Sequence, residues 1–179
     1  SNAAGMIKGL NLIYKLNLTE AQMQSIALNL GADVSFFIKG GTQKGEGTGN
    51  KLSILPYPVR GAVVLVMPDI HIDTSWAYSM IKNKLEHVGN SPNFASFFQE
   101  NLFPEEIFKN DFEKIVFPAY PEIGEIKTAL IDLGAVYTSL SGSGSTVYGI
   151  FNDESVADSA KSHFNSSYHT VVTFPSNAA

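Results

Sequence analysis

Asp33 stands where a carboxylate could act as a general base. It follows Gly31-Ala32 and precedes the apolar Val34-Ser35-Phe36-Phe37. A carboxylate set against aromatic rings is held partly out of water, suited to orient a hydroxyl and accept its proton. The same position equally suits the cap of a short turn running through Phe37. A second candidate is Ser141-Gly142-Ser143-Gly144-Ser145-Thr146, too long for a two-residue hairpin turn. Its successive N–H groups and hydroxyls could form a nest for an anion, although Gly/Ser turns also serve structure alone. It contains no G-x-S-x-G, so a serine-hydrolase nucleophile elbow is not supported.

Three other groups are weighed the same way. Gly45-Glu46-Gly47-Thr48-Gly49 has the glycines of a nucleotide loop, but a dinucleotide fingerprint opens a helix, and here the alternating Leu52-Ser53-Ile54-Leu55 follows. A twisted hairpin is the better reading. His71 and Asp73 could be two ligands of a metal, yet no third is apparent, and a loop histidine and a helix cap account for them. No metal site is expected from them. Tyr78, one turn into a helix after Thr74, could stack on a base, or pack with Ile81 and Leu85 in an ordinary core stripe.

The elements that must position these residues are legible from periodicity and punctuation. Met6, Leu10, Ile13 and Leu16 predict a helix over 4–16 with one buried stripe. Thr19 and Gln22 form a capping-box pair ahead of Met23, Ile26, Ala27 and Leu30, with Gly31 as the stop. A strand–turn–strand unit follows through residue 55. Pro56 and Pro58 then mark a domain boundary near 56–60, and Ala62–Met67 reads as a central strand. Asp73 or Thr74 caps a helix through Leu85, Ser91-Pro92 starts another, and a loop-rich stretch runs to Pro118. Pro121 opens a helix with Ile123, Ile126, Leu130 and Leu133 on one face, ended by Gly134. Strand 135–140, the Ser/Gly turn, strand 147–151, a helix capped by Asp153 and strand 168–174 complete the chain. Counted from Ala62, with 74–133 as one long crossover, the order is βαββαβ, the ferredoxin-like arrangement of an α+β fold.

Composition bounds the function. The 179 residues, 44 % of them hydrophobic, suffice for a real core in one large domain or two small ones. Only 16 % are charged, below the roughly 25 % of an ordinary domain, so part of the surface is expected to be covered. A net charge of −5 without any Lys/Arg cluster argues against a nucleic-acid backbone as partner. With no Cys there is no disulfide, thiolate metal site or Cys nucleophile, which fits the cytoplasm. Ala62–Met67 is the longest strictly aliphatic run, far short of the ~20 residues of a membrane helix. No stretch reads as a signal peptide.

Five blocks, in order, resemble a known family: Leu30-Gly31-Ala32-Asp33-Val34-Ser35-Phe36-Phe37, Gly40-Gly41-Thr42, Pro68 to Tyr78, Asn110-Asp111-Phe112-Glu113, and Ser141 to Val147. They resemble the 4-diphosphocytidyl-2-C-methyl-D-erythritol kinases, members of the GHMP kinase superfamily in the non-mevalonate route to isoprenoids. The resemblance runs from about residue 4 to 174; the Gly-Ala-Asp-Val block is its most discriminating part, while the Ser/Gly block is shared with other GHMP kinases. It implies transfer of the γ-phosphoryl group of ATP, accompanied by Mg²⁺, to the 2-hydroxyl of the cytidylylated methylerythritol. Asp33 falls on the family's catalytic aspartate, Thr74 and Tyr78 fall where the cytidine is held, and Ser141, Gly142, Ser143, Gly144, Ser145 and Thr146 fall on the phosphate-proximal third motif.

The family also carries a nucleotide pocket, a lysine paired with the aspartate, and a Gly-Leu-Gly-Gly-Gly-Ser-Ser loop, none of which is in this sequence. The resemblance therefore implies that residues 1–60 are the remnant of a GHMP N-terminal domain, two helices and a β-hairpin, whose missing part is a partner. Residues 61–175 would form the ferredoxin-like C-terminal domain. Ser1-Asn2-Ala3 reads as the remnant of a purification tag, or with Ala4 as the end of that loop. The chain alone is expected to be inactive. Two other readings stay open: another GHMP small-molecule kinase of the homoserine or mevalonate type, and a non-catalytic ferredoxin-like binding module.

Overall fold

Helix α1 (Asn2–Ile13) turns Ala4 and Ile7 inward and leaves its longer side chains outside. It begins a computed structural model that describes residues 1–47, 49, 51–56, 59–81, 97, 99–104 and 107–175. The described chain divides into two units, one mainly from residues 1–58 and the other mainly from 59–175. The expected stripe of α1 is corrected: Met6 and Ile13 are 63 % and 72 % exposed, and Leu10 and Leu16 are exposed too. Small Ala4 lets the helix approach its neighbours closely, so the pair three residues apart, Ala4 and Ile7, takes the buried face.

In the first unit α2 (Glu20–Leu30) starts on the predicted capping box. Gln22 N–H donates to Thr19 Oγ1 at 3.3 Å and Thr19 N–H to Gln22 Oε1 at 2.9 Å. Such a cap satisfies two of the orphan donors at a helix start. The turn at Asp33 proves to be the first turn of a third helix, α3 (Ala32–Lys39), closed by Gly40 at φ 72°. Ala4, Ile7, Ala27 and Ile38 form a small core, with Met23 and Val34 packed against it. Strands β1 (Gln43–Glu46) and β2 (Lys51–Ile54) pair antiparallel, Gln43 opposite Ile54 and Glu46 opposite Lys51. The glycine run is thus a hairpin, as its spacing predicts.

The second unit is built on β3 (Ala62–Met67), whose alternate residues Ala62, Val64 and Val66 are buried. Gly61 leads into it at φ 98°, where a Cβ would lie 2.2 Å from the Phe151 carbonyl oxygen, so only glycine fits. With β4 (Tyr137–Leu140), β5 (Val147–Phe151) and β6 (His169–Thr173) it forms one antiparallel sheet in the order β4-β5-β3-β6. Val64 lies opposite both Gly149 and Val172. Helices α4 (Thr74–Ile81), α5 (Glu113–Ala119), α6 (Pro121–Asp132) and α7 (Glu154–Phe164) contribute the buried Ala77, Val116, Ile123, Leu130, Ala157 and Phe164 to the core over this sheet. This is the expected ferredoxin-like βαββαβ order within an α+β fold. The ends of the predicted helix to Leu85 and the helix from Ser91-Pro92 lie outside the described residues.

The stretch read as loop up to Pro118 contains α5, with Pro118 in its last turn. Proline removes one intrahelical donor. Burial of Ile115 and Val116, and the Asn110 side chain that accepts the Phe112 N–H at 3.0 Å, outweigh that loss. Among the described residues no helix is long and apolar enough to cross a membrane.

Candidate functional site

Asp33 sits in the first turn of α3 with its side chain exposed. A carboxylate is favourable there because the unsatisfied N–H groups carry partial positive charge. It belongs to the first unit; Thr74, Tyr78 and the loop 141–146 belong to the second.

In the second unit the strand–loop–strand turn 141–146 is closed at its neck by Ser141 N–H donating to Thr146 O at 2.8 Å. Inside it Gly144 N–H donates to Ser141 O at 2.9 Å. Gly142 and Gly144 take φ 59° and 93°, conformations that side chains disfavour. At Gly144 a Cβ would come within 2.9 Å of Ile72 Cδ1 and 3.1 Å of Leu140 Cδ1, so the backbone lies against the core. Two of the loop's hydroxyls have neighbours outside it. Ser145 Oγ donates to Pro68 O at 3.3 Å, and Ser143 Oγ lies 3.4 Å from Thr74 Oγ1. Thr74, at the start of α4, is thereby brought beside the loop, as a shared site requires.

Asp73 does cap α4: Trp76 N–H donates to its Oδ1 at 2.6 Å. Tyr78, one turn on, is 55 % exposed and meets the Phe112 ring edge-on at a centroid distance of 5.0 Å. It is thus on the surface and not in the core stripe weighed against stacking. Such a ring has both a fixed direction and free area to receive a planar group.

Sequence reasoning assigned no role to the residues that brace this loop. Asn110 Nδ2 donates to Leu140 O at 2.8 Å and to Gly142 O at 2.7 Å. Glu113 Oε1 accepts from Leu140 N–H at 2.9 Å and from Ser139 Oγ at 3.1 Å, while its Oε2 meets Lys127 Nζ at 2.7 Å. Nearby, burial pushes the Tyr148 phenol well up, and the adjacent Tyr137 adds to it, so Tyr148 stays neutral. The partners of Asn110 lie 30 and 32 residues away, so no local spacing marks them.

Within the second unit the arrangement offers a braced hydroxyl-and-amide loop, a nearby threonine and an exposed aromatic ring. Among the described residues no three His, Asp or Glu side chains gather as a metal cage. A divalent ion accompanying a nucleotide is held chiefly by phosphates and water.

Residues 94–170 match the family described as "GHMP kinases C terminal". The chain is 44 % identical over 155 residues to a 4-diphosphocytidyl-2-C-methyl-D-erythritol kinase of Bacteroides thetaiotaomicron, covering 86 % of this chain and 56 % of the relative. It is 37 % identical over 179 residues to one of Chlorobium chlorochromatii, covering 97 % and 62 %. The chain thus spans rather more than half the length of the curated relatives it matches. A crystal structure of a 4-(cytidine 5'-diphospho)-2C-methyl-D-erythritol kinase superposes with TM-score 0.77 at 23 % identity, covering 94 % of this chain and 61 % of that one. A homoserine kinase of Cytophaga hutchinsonii follows at 0.69 and 16 % identity, covering 98 % and 64 %. These two show the same fold.

Proposed function

We propose that this chain, similar over residues 94–170 to the family "GHMP kinases C terminal" and over most of its length to curated kinases, is part of a GHMP kinase phosphorylating the 2-hydroxyl of 4-diphosphocytidyl-2-C-methyl-D-erythritol with ATP. The observation that carries this reading is identity of 36–44 % to curated kinases of that name over most of the chain. On this reading residues 1–60 belong to the first domain and 61–175 form the second; a division between units at Pro58 and Val59 supports that assignment.

The chemistry follows from the residues. Asp33 orients the substrate hydroxyl and takes its proton as the oxygen bonds to the γ-phosphorus and the bond to the ADP oxygen breaks. Its exposure leaves the carboxylate accessible to a hydroxyl. Such a base contributes ~10²–10⁴-fold, and positioning and charge neutralisation supply most of the rest. The braced 141–146 loop offers N–H and hydroxyl donors to phosphate oxygens. Thr74 and Tyr78 receive the cytidine, Tyr78 by stacking.

The test uses protein of the relatives' full length that contains these residues, offered ATP with the cytidylylated methylerythritol, homoserine or mevalonate. Turnover of the first alone is expected. Asp33→Asn should lower kcat by ~10²-fold or more with KM little changed. Preference for homoserine or mevalonate would reassign the substrate, and undiminished turnover in Asp33→Asn would remove Asp33 from the reaction.

A further inference from the structure

Leu140 is the last residue of β4 before the Ser/Gly loop, and β4 is an edge of the sheet. An edge residue normally shows unpaired polar groups to solvent. Here both are taken by side chains from one short segment: Glu113 accepts the Leu140 N–H and Asn110 donates to the Leu140 carbonyl. The two side chains replace a neighbouring strand at the point where the loop departs.

Asn110 does more than pair an edge. Its second amide hydrogen reaches Gly142 O at 2.7 Å, so a single NH₂ group spans the junction from strand to loop. Its carbonyl end accepts the Phe112 N–H at 3.0 Å, which fixes the amide's orientation by its hydrogen bonds alone. Glu113 is fixed in turn by Lys127, and both side chains are nearly buried, 13 % and 11 % exposed. The loop therefore hangs from a braced frame.

We propose that Asn110 and Glu113 are positioning residues: they set the backbone of 141–146 in the conformation that presents its N–H groups and hydroxyls to an anion. The anion being a phosphate rests on the kinase reading; the positioning itself does not. The bracing holds whatever ligand the loop meets, so the experiment reads the loop and not turnover.

The experiment is amide hydrogen exchange and ¹⁵N NMR of the 179-residue chain and two variants. Asn110→Ala removes both donors; Asn110→Asp keeps the shape and replaces the donors with oxygens that face two carbonyls. In both, exchange at Ser141 and Gly144, whose N–H groups bond Thr146 O and Ser141 O, is expected to rise on the order of tenfold, as for two lost hydrogen bonds, with β3 and β5 amides unchanged. In Asn110→Asp the Gly142 and Ser143 amide shifts should also titrate, with a midpoint above the ordinary aspartate value of ~3.9, because protonation returns one donor to the carbonyls. Glu113→Gln, which keeps an acceptor for Leu140 N–H, should disturb the loop less than Asn110→Ala. Uniform acceleration across the whole unit would show a merely structural role. Unchanged loop exchange, or no such titration in Asn110→Asp, would equally overturn the proposal. Loss of the kinase reading would leave these results standing.

Discussion

Lys127 Nζ lies 2.7 Å from Glu113 Oε2, and the two side chains are among the least exposed charged groups of the second unit. The pair ties α6 to the start of α5, and through Glu113 Oε1 to Leu140 at the mouth of the Ser/Gly loop. Partial burial makes each charge depend on the other. Removing one partner leaves a charge in low dielectric, so Lys127→Met is expected to cost about 3 kcal/mol of unfolding free energy. The double variant Lys127→Met with Glu113→Gln should recover part of that, because no uncompensated charge remains. Urea unfolding of the four proteins checks this. A loss in the double variant equal to the sum of the losses in Lys127→Met and Glu113→Gln would mean the charges are independent.

Asp153 gives a prediction in pH. Ser155 Oγ donates to its Oδ1 at 2.6 Å, and Ser155 and Val156 N–H groups add bonds at 2.7 and 3.2 Å as the carboxylate caps α7. These bonds hold its carboxyl below the usual carboxylate value, the Ser155 hydroxyl contributing most. A pKa depressed in the folded state stabilises above the unfolded value and loses that contribution as pH falls through the folded one. The thermal midpoint should therefore fall, as pH drops below about 4, more steeply in the native chain than in Asp153→Asn, whose cap does not titrate. In Ser155→Ala the carboxyl should titrate closer to its ordinary value, read by ¹³C shifts of Asp153. An unmoved titration would show that the backbone N–H groups alone depress it.

The α7 cap was readable because Asp153, Ser155 and the helical stripe are neighbours in sequence; so were the Thr19–Gln22 box and the βαββαβ order. In α1 periodicity alone could not choose a face. Met6, Ile7, Leu10, Leu12 and Ile13 leave little polar surface, so both the Met6-Leu10-Ile13 line and the Ala4-Ile7 line fit helical spacing. Close packing through the smaller Ala4 decides it. At Pro118 the local breaker signal was overruled by burial of Ile115 and Val116. The site divides the same way. The Ser/Gly loop and Tyr78 stand out by composition and placement, whereas Asn110 and Glu113, although they stand in one of the five blocks, act on atoms 26–32 residues distant, so spacing gives them no role.

Tyr78 offers the most direct check on the second unit as a nucleoside-binding surface. Its ring is held edge-on to Phe112 at 5.0 Å and 85°, yet 55 % of the residue remains exposed. A core role would instead have buried it. If the free area receives a cytosine, Tyr78→Ala should weaken binding of cytidine 5'-diphosphate by about tenfold, the scale of ~1–3 kcal/mol per stacked base. Tyr78→Phe keeps the π-face and should bind like the native chain, since stacking does not need the hydroxyl. NMR titration of the 179-residue chain with the nucleotide reads both, with shift changes expected at Thr74 and Tyr78. The thermal midpoint separates a lost stack from a lost fold: Tyr78→Ala gives up one edge-on aromatic pair, ~0.5–1.5 kcal/mol, and should remain folded. Equal affinity in Tyr78→Ala and the native chain would place the base elsewhere.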